Sequence, residues 1–88
     1  MLLSELANGQ QAQVMRIVQG PAEVGELTLQ RLEELGFIEG EPVLMLIRGP
    51  GGREPLAVQV GDTQFALRLV EAQCVEVSTD AYLQAVRT

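Results

Sequence analysis

The stretch LTLQRLEELGFIEG, residues Leu27–Gly40, decides how this chain folds. Leucines recur at helical spacing between polar side chains in its first nine residues, and Gly36 interrupts that pattern. The pattern changes directly after Gly40, because Val43–Ile47 is an unbroken apolar run of strand length. The sequence therefore predicts one helix set ahead of a series of short strands.

The helix is predicted to run from Val24 or Gly25 to Leu35. Projected at about 100° per residue, its apolar side chains fall on one broad arc: Leu27, Val24, Leu35, Leu32 and Leu29. Arg31 lies inside this arc, so its side chain must extend to solvent or pair with an acid.

The end of the helix has a physical cause in the sequence. Gly36 can adopt the left-handed conformation that closes a helix, because it has no Cβ atom. Phe37 would then pack back on Leu32, which is the hydrophobic contact of a Schellman motif.

Five short strands are predicted from the remaining pattern. Their expected bounds are Gln11–Val18, Val43–Arg48, Leu56–Val60, Thr63–Leu67 and Cys74–Val77. Met15 and Ile17 disturb the alternation of the first strand, which indicates either a bulge or a strand covered on both faces. Gly61-Asp62 is typical of a two-residue hairpin turn, and Arg68–Ala72 is interpreted as a tight turn.

The two ends of the chain complete the predicted fold. Leu3 and Leu6 are spaced to plug one end of a barrel. A short C-terminal helix is expected after a cap at Thr79 or Asp80, with an apolar side formed by Tyr82, Leu83 and Val86. Five strands with one helix between the first and second describe a mainly β, SH3-like barrel. We expect residues 1–88 to form this single domain.

Composition excludes several classes of function. The chain has a net charge of −6, no lysine and few aromatic residues, which disfavours binding to DNA or RNA. The glycine-rich Gly49–Gly52 is not followed by the Lys-Ser/Thr of a phosphate loop. The absence of histidine and of a coupled nucleophile argues against an enzyme. Cys74 is the single cysteine, so no internal disulfide can form, and we expect it to be a packing or partly exposed thiol.

No metal or cofactor site is predicted, because one cysteine and twelve acids show no ligand spacing. Weak binding of a divalent cation by carboxylates stays open.

The start Met1–Glu5 lacks the features of a signal peptide, and the longest apolar run has five residues, too few to span a membrane. We therefore expect a cytoplasmic protein.

An ordered set of residues resembles the FeoA family, the small ferrous iron transport protein A. The matching residues are Leu6, Gly9, Ala12, Val14, Arg31-Leu32, Leu35-Gly36-Phe37, Gly40, Pro50, Pro55, Ala66-Leu67-Arg68, Glu71-Ala72, Val75 and Val77. The resemblance covers about Leu3 to Val77, whereas Asp80–Thr88 lies beyond it. This chain departs from the family in being acidic around the helix.

The resemblance implies a cytosolic accessory of ferrous iron uptake that binds FeoB, a membrane transporter with a GTPase domain. We place the candidate contact on the helix and its glycine corner, at Leu29, Arg31 and Gly36. Leu32 and Leu35 are further candidates, for which a core role is the favoured interpretation. Arg68 is a further candidate, with a simple turn residue as its alternative.

Another class of function stays open, a self-associating scaffold or a weak metal-binding module not tied to a GTPase. The strand after Pro55 could be an open sheet edge. The C-terminal apolar side offers a second contact for a homo-oligomer.

Overall fold

The computed structural model, which describes residues 1–87, is built from five strands, three α-helices and two short 3₁₀ helices at Leu3–Glu5 and Pro50–Gly52. The strands are β1 (Gln11–Ile17), β2 (Pro42–Arg48), β3 (Leu56–Val60), β4 (Thr63–Leu67) and β5 (Val75–Ser78). The helices are α1 (Glu26–Leu35), α2 (Leu69–Ala72) and α3 (Thr79–Val86). One antiparallel sheet has the order β4-β3-β2-β1-β5. The predicted mainly β architecture, with α1 between β1 and β2, is confirmed.

Two irregularities in strand pairing bend this sheet. The register of β1 against β5 shifts between Val14 and Arg16, where a bulge was one of the two predicted alternatives. The register of β2 against β3 shifts between Met45 and Ile47. Such shifts increase the local twist and help a short sheet to wrap around its core.

The core lies on the inner face of the sheet and under the N-terminal segment. Alternate residues of β3 face inward, so Leu56, Val58 and Val60 are buried. Leu3 and Leu6 are both 0% exposed, as expected for side chains that plug the barrel. The other fully or almost fully buried residues are Ala12, Val14, Val24, Leu32, Phe37, Val43, Met45, Leu67, Ala72, Cys74, Val75 and Val77.

The end of α1 forms as the sequence predicts. Gly36 adopts the left-handed conformation, with φ of 114°. The N–H of Gly36 donates to the carbonyl of Glu33 at 3.0 Å, and the N–H of Phe37 donates to that of Leu32 at 3.1 Å. Phe37 and Leu32 are each 1% exposed. These two bonds and the buried pair constitute the predicted Schellman motif.

Three local predictions for the C-terminal third are wrong. Arg68–Ala72 was expected to be a tight turn but contains the short helix α2, because the Glu71 carboxylate accepts the N–H of Arg68 and the Glu54 carboxylate accepts that of Leu69. The closing strand begins at Val75, one residue late, and Cys74 is buried before it. Ser78 caps α3 in place of Thr79 or Asp80, since its hydroxyl accepts the N–H of Ala81 at 3.0 Å.

The predicted open edge at Pro55 is also wrong. β3 follows this proline but pairs with β2 on one side and with β4 on the other. The edges of the described sheet are β4 and β5.

In α3, Tyr82 is half-buried and its hydroxyl donates to the Gln11 side chain at 2.7 Å, which docks this helix on β1.

Candidate partner-binding site

A buried carboxylate lies at the centre of the candidate site. Glu71 belongs to α2 and is 6% exposed, although most glutamates lie in solvent. Its Oε1 accepts the backbone N–H of Arg68 at 2.8 Å. This bond satisfies an N–H that the helix itself leaves unpaired, so Glu71 fixes the start of α2.

Two arginines approach the other oxygen of this carboxylate. Arg31 on α1 donates through Nη1 to Glu71 Oε2 at 3.4 Å, and Arg68 Nε lies 3.9 Å from the same oxygen. The side chains of Arg31 and Arg68 are 63% and 66% exposed. Exposed ion pairs of this kind contribute at most about 1 kcal/mol to stability. Their clearer consequence is positional, because one carboxylate orients two guanidinium groups whose remaining N–H groups face solvent.

The exposed face of α1 carries an apolar side chain next to Arg31. Leu27, Arg31 and Glu34 are spaced i, i+4, i+7 and are all exposed. Leu27 is 81% exposed, the largest exposure among the large apolar side chains of the described chain. We call Leu27, Arg31, Arg68 and Glu71 the α1–α2 surface.

The structure separates the predicted site residues into two groups. Arg31 and Arg68, 37 positions apart in sequence, meet at Glu71. Leu32 lies in the core, whereas Leu29 and Leu35 are half-buried and pack against it. Gly36 is half-buried at the helix end.

Sequence reasoning missed the exposure of Leu27. The predicted apolar arc was too broad, because Leu27 lies about 140° around the helix from the buried Leu32. An arc centred on Leu32 would have left Leu27 on the polar side. Glu71 was noticed as part of the family resemblance, but its pairing with Arg31 had no signal in the sequence.

Cys74 lies behind this surface as a buried thiol. It is 0% exposed, and its Sγ donates to the carbonyl of Val70 at 3.3 Å. Burial raises the pKa of the Cys74 thiol, the backbone of Gly20 lowers it, and the negative charge of Glu71 raises it. The thiol is therefore a packed core group at neutral pH.

The raised pKa predicts a loss of stability in alkali. Above about pH 8.5 the thiol of the unfolded chain loses its proton while the folded thiol retains it, so the free energy of unfolding falls as pH rises. This effect reaches at most about 1.4 kcal/mol per pH unit. Urea unfolding between pH 7 and 10 measures it. The free energy of unfolding should fall less steeply with pH in Cys74→Ala than in the native protein. Equal slopes in the two proteins would contradict the assignment of this loss to the Cys74 thiol.

Residues 1–87 contain no group of three or more His, Cys, Asp or Glu side chains arranged to hold a metal ion. Weak carboxylate binding of a divalent cation therefore stays a prediction from the sequence. No helix in the same residues is both long and apolar enough to span a bilayer.

The sheet order and the helix between β1 and β2 define a small SH3-like domain. Residues 1–79 match the model of the FeoA domain. The chain belongs to the FeoA family, whose members are associated with ferrous iron transport. No curated protein sequence matches it.

Solved structures agree with this family. FeoA of Stenotrophomonas maltophilia, complexed with zinc, is 46% identical, with a TM-score of 0.80 over 92% of this chain and 93% of that one. It is described as a prokaryotic SH3-domain protein and a candidate activating factor of ferrous iron transport. FeoA of Chlorobium tepidum is 31% identical, with a TM-score of 0.71 over 89% of this chain and 69% of that one.

The fold also occurs in a different kind of protein. A manganese-dependent transcriptional repressor has a TM-score of 0.71 at 18% identity, over 89% of this chain and 40% of that one. At this identity the similarity concerns the fold alone.

Proposed function

We propose that this protein is a cytosolic accessory of ferrous iron uptake that binds a FeoB-type GTPase transporter through the α1–α2 surface. The observation that carries the proposal is the 81% exposed Leu27 one helical turn before Arg31, where Arg31 and Arg68 both approach one buried carboxylate. Membership of the FeoA family supports the link to iron transport.

The chemistry of the surface suits protein recognition. Apolar anchors and arginines are frequent contributors to binding energy at interfaces, and an arginine already held in place loses less freedom on binding. The partner is expected to offer an apolar pocket for Leu27 flanked by a carboxylate for Arg31 or Arg68. Leu29 and Gly36 are half-buried and stay candidate contacts predicted from the sequence.

We propose binding and no catalytic role. The chain has no histidine, and its one cysteine is buried with a raised pKa. The one carboxylate of the α1–α2 surface, Glu71, is buried and is bonded to the N–H of Arg68 and to Arg31, and the thiol of Cys74 is buried.

Calorimetric titration into the purified full-length transporter, first with GDP and then with a GTP analogue, tests this function. We expect saturable binding whose affinity depends on the nucleotide. Absence of binding in both nucleotide states would contradict the proposal.

Two substitutions test the placement of the contact. Leu27→Asp and Arg31→Glu should each weaken binding about tenfold or more, because each removes an anchor and adds a charge that repels an acidic partner. Leu27 is 81% exposed, so Leu27→Asp should leave the unfolding midpoint nearly unchanged, whereas Arg31→Glu sets a second carboxylate against the buried Glu71 and should lower it. Arg87→Glu, the same change of charge at an exposed residue after α3, is the matched control. Equal affinities for all three variants and the native protein would show that the contact lies elsewhere.

A further inference from the structure

The two edges of the sheet differ in how they are covered. The N-terminal segment covers β5, since Leu2 bridges Glu76 and the N–H of Val77 donates to the carbonyl of Met1 at 2.8 Å. Among residues 1–87, no strand pairs with the outer side of β4.

The hairpin register identifies the groups on that free edge. The two-residue turn Gly61-Asp62 is flanked by Val60 and Thr63, which form a hydrogen-bonded pair. Every second residue of β4, counted from Thr63, therefore bonds its backbone to β3. The backbone N–H and C=O groups of Gln64 and Ala66 therefore point away from the sheet. Both residues are exposed, and in the described chain neither bonds its backbone to another element.

This edge lacks the features that keep edge strands apart. Proteins commonly protect such strands with a charged side chain, a proline or a bulge. The sequence of β4, TQFAL, contains neither a charge nor a proline, and its register against β3 is unbroken. Charges occur only at its two ends, where Asp62 and Arg68 are both exposed.

We propose that the β4 edge binds a second copy of this chain, with the two β4 strands antiparallel about a two-fold axis at Phe65. Gln64 then lies opposite Ala66 of the second copy, and these two equivalent pairs exchange four backbone hydrogen bonds. The result is a continuous ten-stranded sheet across the two copies.

Charge complementarity selects this register. With Gln64 opposite Ala66, Asp62 lies opposite Arg68 of the second copy, and symmetry repeats the pair at the other end. A shift by two residues in either direction places Gln64 opposite Gln64, or Ala66 opposite Ala66. Each shifted register forms only one bonded pair between residues of this edge and loses both Asp–Arg pairs. This interface forms between two copies of the protein and does not depend on binding to a transporter.

Sedimentation equilibrium of the full chain, up to about 1 mM, tests the interface. We expect the mass to rise from monomer to dimer with concentration. Ala66→Pro should remain monomeric, because proline removes the outward N–H without removing a bond to β3. Ala66→Thr keeps that N–H and should dimerise like the native protein. Circular dichroism of Ala66→Pro and Ala66→Thr is the control that both variants fold.

A charge exchange tests the register itself. Asp62→Arg places arginine opposite arginine, and Arg68→Asp places aspartate opposite aspartate, so each variant alone should dimerise about tenfold more weakly. A mixture of the two variants restores both opposite-charge pairs and should form a heterodimer tighter than either homodimer. Thermal unfolding of each variant shows that the fold is intact.

Three results would overturn the proposal. The native protein could remain a monomer at the highest concentration, or Ala66→Pro could dimerise as well as the native chain. The mixture of charge variants could also associate no better than its components. Loss of the dimer in Leu83→Glu but not in Ala66→Pro would assign self-association to the exposed side of α3 instead.

Discussion

Replacing Phe37 with alanine is expected to lower the free energy of unfolding by about 3–5 kcal/mol. The side chain is 1% exposed, and its ring lies 6.1 Å from that of Phe65. It belongs to the same buried cluster as Leu32, whose carbonyl accepts the Phe37 N–H at the end of α1. A small domain is stabilised by only about 5–15 kcal/mol, so this variant should be partly unfolded at mild urea concentrations.

Urea unfolding followed by circular dichroism measures this loss. Ile38→Ala is the matched control, because Ile38 is the next residue and 56% exposed. We expect Ile38→Ala to change stability by no more than about 0.5 kcal/mol. A Phe37→Ala variant as stable as the control would show that the corner after Gly36 tolerates a cavity.

The same corner explains how much of the fold could be predicted from sequence. A helix end depends on a few adjacent residues, and Gly36 with Phe37 provided both the left-handed conformation and the buried contact. The hairpin at Gly61-Asp62 is equally local, and β3 and β4 form on either side of it as expected. Where the determinants lie within a few residues of one another, the sequence is sufficient.

Two of the wrong predictions, the tight turn at α2 and the sheet edge at Pro55, depend on residues distant in sequence. The helix α2 starts where Glu71 caps the N–H of Arg68, and Glu71 stays buried while it pairs with Arg31, 40 residues away. The neighbours of β3 depend on the order of the whole sheet, so Pro55 alone could not locate an edge. Tertiary packing contributes to both features. The missed cap of α3 is local by contrast, since Ser78 accepts the N–H of Ala81 three residues further on.

Within the candidate site, the charges could be predicted but their arrangement could not. Arg31 was expected to extend to solvent or to pair with an acid because of its place among leucines, and it does both. The exposure of Leu27 depends on which side of α1 meets the core, and this is decided by Leu32 and its neighbours. The α1–α2 surface therefore joins Arg31, which belongs to the motif that resembles the FeoA family, to Leu27, which the pattern had placed on the apolar arc.

The arginine Arg68 belongs to both proposed surfaces of the protein. At the α1–α2 surface it lies 3.9 Å from Glu71, and at the end of β4 it lies opposite Asp62 of a second copy. Binding of the transporter and self-association would therefore compete for the same guanidinium group. Asp62→Arg weakens only the second interaction, which allows the two to be measured separately.

Gly49→Ala is expected to destabilise the protein by about 3 kcal/mol, at the upper end of the cost of overpacking. The backbone of Gly49, with φ of −67° and ψ of −174°, is one that alanine adopts readily, so conformational strain is not the cause. A Cβ atom there would lie 2.6 Å from the carbonyl carbon of Glu54, 2.8 Å from the nitrogen of Pro55, and closer still to the Glu54 carbonyl oxygen. These atoms belong to the backbone and cannot rotate away.

Relief of that collision would separate two chain segments that Gly49 holds together. Its N–H donates to the carbonyls of Arg53 and Pro55, both at 2.9 Å, and these bonds position the start of β3. Comparing the free energies of unfolding of Gly49→Ala and Gly25→Ala in urea measures the cost of the collision alone. A Cβ atom at Gly25 meets no atom within 4 Å, so Gly25→Ala is the matched control. Gly25→Ala should change stability by less than about 1 kcal/mol, since the lower entropy of the unfolded chain offsets a poorer helix cap. Equal effects of the two substitutions would mean that the loop between β2 and β3 can open without cost to the sheet.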